Sequence, residues 1–105
     1  MNRNIEPAEL RQWLEQGRDM QILDVRKKAD FELDPKMLPG ARWLDPAEVA
    51  EWSADLSGDA TIVVYCVHGH AVSNAVVDHL RGRGLNACLI DGGIEAWKEA
   101  GGKTV

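Results

Sequence analysis

Apolar positions recur along this chain with two alternating periods. Leu10, Trp13 and Leu14 fall at i, i+3 and i+4 behind Pro7 and Glu9, so 7–16 reads as an amphipathic helix stopped by Gly17. Met20–Val25 reads as a short, mostly buried strand, and the polar run from Arg26 to Phe31 as a loop or short helix. Pro35, Pro39 and Gly40 make 34–40 irregular, and 41–44 suits a brief strand. Asp45-Pro46-Ala47-Glu48 is a helix start, with an N-cap acid, Pro at N1 and Glu at N3. The predicted helix runs to about Leu56 and buries Val49 with Trp52 or Leu56.

The most strand-like segment is 60–65, continuously apolar as a strand covered on both faces would be. A helix over 71–81 follows, with Val72, Ala75, Val76, His79 and Leu80 on one side. A strand over 86–90, a turn at Asp91-Gly92-Gly93 and a closing helix over 94–100 that holds Trp97 complete the chain. The four tryptophans, Trp13, Trp43, Trp52 and Trp97, read as core. Alternating strands and helices imply an α/β fold with a mainly parallel sheet. Ligands bind such sheets at the carboxyl ends of strands, where Asp24, Cys66 and Asp91 lie.

Composition narrows this little. With 105 residues, 45% of them hydrophobic, one domain over 1–105 is expected. The net charge is −5 and no basic cluster exceeds Arg26-Lys27-Lys28, which argues against a nucleic-acid surface. No apolar run is long enough to span a membrane, and Met1-Asn2-Arg3-Asn4 begins no signal-peptide core. Two cysteines, Cys66 and Cys88, do not form a secreted disulfide framework, so a reducing cytoplasm is the expected setting.

The candidate chemistry lies in Cys66-Val67-His68-Gly69-His70-Ala71-Val72. A thiol between a strand end and a helix start faces loop N–H groups and the positive end of the helix dipole, a setting that favours a thiolate nucleophile. The residues alone leave three readings of Cys66: nucleophile, metal ligand or inert buried thiol. Cys66-x-His68-x-His70 supplies metal-ligand types, but the spacing matches no common zinc pattern and no fourth ligand is evident. His68 and His70 are otherwise exposed loop residues, or line a pocket mouth and attract an anion when protonated. Asp24 and Arg26 read as a structural ion pair or as supports of the loop. Cys88, within a strand, reads as core, and His79 as a surface or packing residue.

Three stretches in order resemble the rhodanese-like sulfurtransferases, over about Ile5 to Lys103. They are Ile22-Leu23-Asp24-Val25-Arg26 with Asp30-Phe31 and Pro39-Gly40-Ala41, then Val63-Val64-Tyr65-Cys66, then Asp91-Gly92-Gly93-Ile94-Glu95-Ala96-Trp97. The resemblance implies a rhodanese-like fold, with about five mainly parallel strands and helices on both faces. It implies that Cys66 takes a sulfur from thiosulfate or a related small anionic donor as a persulfide. That sulfur then passes to cyanide, a thiol or a protein acceptor. N–H groups of Val67, His68, Gly69, His70, Ala71 and Val72 would stabilise the anion. No metal or other cofactor is called for.

Two departures matter. Ala71 stands where many members carry Ser, Thr or Arg, so a side-chain anion contact is missing. Related phosphatases and arsenate reductases carry an arginine six residues after the cysteine, where this chain has Val72. Without a guanidinium to hold a phosphoryl group, dephosphorylation is disfavoured. The alternative to catalysis is a rhodanese module that binds a partner or senses oxidants through its thiol.

Overall fold

The structure, a computed structural model, describes residues 2–105; Met1, which opens the N-terminal run and the expected 1–105 domain, lies outside them. Its strands are β1 (Asn4–Ile5), β2 (Met20–Asp24), β3 (Ala41–Trp43), β4 (Thr61–Tyr65) and β5 (Asn86–Ile90). Its α-helices are α1 (Pro7–Glu15), α2 (Lys28–Leu33), α3 (Val49–Trp52), α4 (Ala71–Gly82) and α5 (Gly93–Glu99). The strands form one five-stranded sheet in the order β1-β5-β4-β2-β3, and every pairing is parallel. No described helix is long and apolar enough to cross a membrane.

The continuous apolar run in β4 is explained by its central place between β2 and β5, with both faces covered. Side chains alternate across the sheet. Val63 and Tyr65 join Ile22, Cys88 and Ile90 under Leu10 of α1 and Ile94 and Trp97 of α5. Ile62, Val64 and Cys66 face the other way, into a core with Leu23, Leu89 and the α4 residues Val76, Val77 and Leu80. Each such fully buried aliphatic side chain contributes about 1.5–3 kcal/mol of transfer free energy.

Four expectations change. β1 has no counterpart in the sequence reading, because a two-residue edge strand with one apolar position carries no period. The predicted 45–56 helix is broken into a 3-10 turn (Pro46–Glu48), α3 and a second 3-10 turn (Ser53–Asp55). Asp45 does cap its start, accepting from Ala47 N–H at 3.0 Å, but Glu48 at φ −109°, ψ 21° lies outside the helical basin and interrupts the ladder. The stripe of α4 on the sheet is Ser73, Val76, Val77 and Leu80, while Ala75 is exposed and Val72 and His79 are half-buried. Of the tryptophans only Trp97 is fully in the core. Trp43 and Trp52 are half-buried and direct their ring N–H to the carbonyls of Arg26 (2.9 Å) and Asp45 (2.7 Å).

Candidate active site

β4 ends at Tyr65, and the next residue, Cys66, opens the loop to α4. The period of the strand turns Cys66 toward α4, and the side chain is 6% exposed. Its Sγ lies 3.2 Å from Oγ of Ser73, a fully buried residue at the head of the α4 stripe. A hydroxyl can both accept from a thiol and donate to a thiolate, so this contact serves either protonation state.

The far end of the loop is fixed by α5. The N–H groups of Ile94 and Glu95 in its first turn donate to the carbonyls of Cys66 (2.9 Å) and Val67 (3.2 Å). This close approach explains the double glycine. Gly93 has φ 65°, and a Cβ there would lie 2.5 Å from the carbonyl oxygens of both Cys66 and Val67. Gly69 has φ 72°, and a Cβ on it would come within 2.9 Å of the Gly92 and Gly93 nitrogens and the Ile90 carbonyl. The loop and the β5–α5 turn therefore fit only as backbone against backbone.

A cavity of about 180 Å³ opens in front of Cys66. Val67, His68, His70, Ala71 and Val72 line it from the loop and α4, and Arg26, Lys27 and Asp30 from the β2–α2 side. Five of the six residues expected to bind substrate are thus brought together with Cys66. The sixth, Gly69, is buried behind the loop and shapes it. The His68 and His70 rings are 6.4 Å apart and tilted by 35°. Among the described residues no three His, Cys, Asp or Glu side chains are placed to hold a metal ion.

Asp24 and Arg26 form a buried ion pair with three contacts, Nε to both Asp24 oxygens at 3.0 and 2.9 Å and Nη2 to Oδ2 at 2.6 Å. Tyr65 donates its hydroxyl to Asp24 Oδ2 at 2.9 Å, and accepts from Leu38 N–H at 3.3 Å. Burial, followed by the Asp24 charge, pushes the Tyr65 phenol far above its ordinary value, so it remains a proton donor to Asp24. The Arg26 guanidinium is raised despite its burial, through its hydrogen bond and charge pairing with Asp24. Arg26 also donates to the carbonyls of Asp34 (2.8 Å) and Lys36 (3.0 Å). The support expected from this pair therefore goes mainly to 34–38 and to Tyr65, and reaches 67–72 only through Tyr65 and the cavity wall formed by Arg26.

Three residues at the site were missed in the sequence. Lys27 comes from the β2–α2 connection and Asp30 from the first turn of α2, and nothing local joins them to Cys66. Ser73 did leave a signal, since it begins the i, i+3, i+4, i+7 stripe completed by Val76, Val77 and Leu80. Cys88 lies in the opposite core, where burial pushes its thiol up to about 11.

Comparison with known proteins agrees with this geometry. Residues 6–100 match the family model for the rhodanese-like domain. The chain is 31% identical to the thiosulfate sulfurtransferase GlpE of Pseudomonas aeruginosa over 94 residues, covering 90% of this chain and 82% of that protein. It is 32% identical to GlpE of Coxiella burnetii, over 87% of this chain and 84% of that protein. The crystal structure of a rhodanese-related protein from Thermoplasma volcanium superimposes with a TM-score of 0.84 at 29% identity, covering 99% of this chain and 98% of that one. A parallel five-stranded sheet, a cysteine at the end of its central strand and a family match over nearly the whole length have one meaning: the chain belongs to the rhodanese-like domain family.

Proposed function

We propose that this protein is a thiosulfate sulfurtransferase with Cys66 as its nucleophile. The observation that carries the reading is Cys66 at the base of a cavity sized for a small anion, with the Ser73 hydroxyl on its sulfur. Relatives named thiosulfate sulfurtransferase over most of both lengths support the choice of donor.

In the first step the Cys66 thiolate attacks the outer sulfur of thiosulfate. The new S–S bond forms as the S–S bond of thiosulfate breaks, and sulfite leaves with the electron pair. Cys66 then carries a persulfide with one negative charge, and total charge is conserved. In the second step cyanide or an acceptor thiolate takes the terminal sulfur, giving thiocyanate or an acceptor persulfide and restoring the Cys66 thiolate. No external oxidant or reductant enters either step.

The surroundings suit both anions. The first-turn N–H groups of α4 have no intrahelical acceptor, and with the N–H groups of the loop they form the cradle for the persulfide. Lys27 at the rim attracts the dianionic donor. The Arg26 guanidinium is committed to Asp24 and to carbonyls, so it shapes the wall. Ser73 turns its O–H toward the sulfur when the thiol proton is lost. A hydrogen bond to a charged group contributes about 1.5–3 kcal/mol.

The test is steady-state formation of thiocyanate from thiosulfate and cyanide. A covalent intermediate predicts parallel double-reciprocal lines, with sulfite released before cyanide is needed. Intersecting lines, or no sulfite without cyanide, would argue for direct transfer and against a persulfide.

A further inference from the structure

We propose that the groove beside the Cys66 cavity is the binding site for the sulfur acceptor, and that it takes an amphiphilic organic thiol with an extended apolar body. The inference rests on the sulfurtransferase reading and names its acceptor class. The 180 Å³ cavity holds a small anion, so a larger acceptor must extend beyond it. It meets a second hollow of about 670 Å³ that shares Lys27, Ala71 and Val72 with the first. That volume is in the usual range for a small-molecule site.

The groove's walls define the ligand. Val72, Ala75 and Val76 of α4 face Pro46, Ala47 and Val49 of the β3–β4 connection. Of these α4 residues Ala75 is exposed and Val72 half-buried, while Val76 belongs to the buried stripe that packs on the sheet and forms the floor of the hollow. The helix thus borders its core stripe with the small apolar side chains of Ala71 and Ala75, which line the hollow. Lys27, which lines both hollows, stands at the Cys66 end, where a thiolate and a persulfide must meet. The other end is marked by His79. Its Nε2 is shielded from solvent, so this end of the groove does not offer that nitrogen to a ligand. From Ala71 to His79 the helix rises about 12 Å, which sets the length of apolar body the groove can cover.

The experiment measures discharge of the Cys66 persulfide by the series from mercaptoethanol to mercaptohexanol, each rate divided by that for a free persulfide in solution. Rates should rise about fourfold per methylene, the gain expected for burying one CH2. Ala75→Trp, on an exposed position, fills the groove and should abolish the gradient while leaving discharge by cyanide unchanged. A flat series, or a gradient that survives Ala75→Trp, overturns the proposal. So does a flat series with self-association that Ala75→Trp abolishes, which would assign the groove to a second copy of the chain. A separate arm needs no sulfur chemistry: hexanol, which cannot react, should shift the amide resonances of Ala71, Val72, Ala75, Val76 and His79. Shifts elsewhere, or none, overturn the groove. Failure of Cys66 to load with sulfur at all would instead overturn the underlying sulfurtransferase reading.

Discussion

The two cysteines of this protein differ little in exposure, at 6% for Cys66 and 0% for Cys88, yet have opposite surroundings. Cys88 lies within β5, opposite Val63 in register, and packs with Ile22, Tyr65 and Ile90. Burial accounts for most of its raised thiol pKa. Cys66 sits one residue past the end of its strand, where the ladder stops and a cavity begins. It has a hydroxyl on its sulfur, and α5 holds its carbonyl from behind. If Cys66 is the nucleophile proposed above, fractional exposure does not separate the two thiols. What separates them in the structure is position relative to the strand end.

Alkylation of the native protein should separate the two most sharply. Iodoacetamide at neutral pH should modify Cys66 alone, with Cys88 protected about 10³-fold or more until the fold opens in denaturant. Mapping the modified peptides gives the answer, and equal labelling would break the comparison. A large effect is also expected at the buried pair. Arg26→Met leaves the Asp24 carboxylate without its cation and should cost about 3–5 kcal/mol in urea unfolding. A loss below about 1 kcal/mol would mean that Tyr65 and water suffice to hold Asp24.

Ser73→Ala should lower the rate of sulfur uptake by Cys66 about tenfold, as loss of one hydrogen bond to a charged sulfur predicts. Ser73→Thr should restore it, and Cys88 protection should be unchanged in both. An unaltered rate in the alanine variant would remove Ser73 from the chemistry. The smallest expected effect is a pH slope. The Cys88 thiol ionises near 9.0 when free and at about 11 in the fold. The unfolded chain therefore loses this proton first. The contribution of Cys88 to stability is complete below about 9 and falls as the pH rises toward about 11. Cys88→Ala should flatten the stability curve in that window relative to the parent protein.

Much of this site was legible in the sequence because it is local. β4, Cys66 and the start of α4 follow one another, so a β-branched run, a glycine loop and a helical period placed the thiol correctly. The double glycine was visible as a motif. Its reason was not, because Gly93 is needed only where α5 meets the carbonyls of Cys66 and Val67. Lys27 and Asp30 reach the cavity only through the β2–β4 pairing, which no local pattern encodes. The assignment of faces on α4 was right for Val76 and Leu80 and missed Ser73 and Val77 for a related reason. Alanine and valine positions adjoin the buried stripe, and only packing against the sheet selected the set led by Ser73. Trp52 misled in turn, since its size suggested a core anchor while its ring N–H ties the broken 46–55 segment back to Asp45.

The most direct test is the mass of the protein after incubation with thiosulfate and removal of excess donor. Persulfide chemistry at Cys66 predicts a gain of one sulfur atom, mapped to the Cys66 peptide, absent from Cys88 and reversed by cyanide. Sulfur on Cys88, or equal uptake by Cys66→Ser, would contradict it.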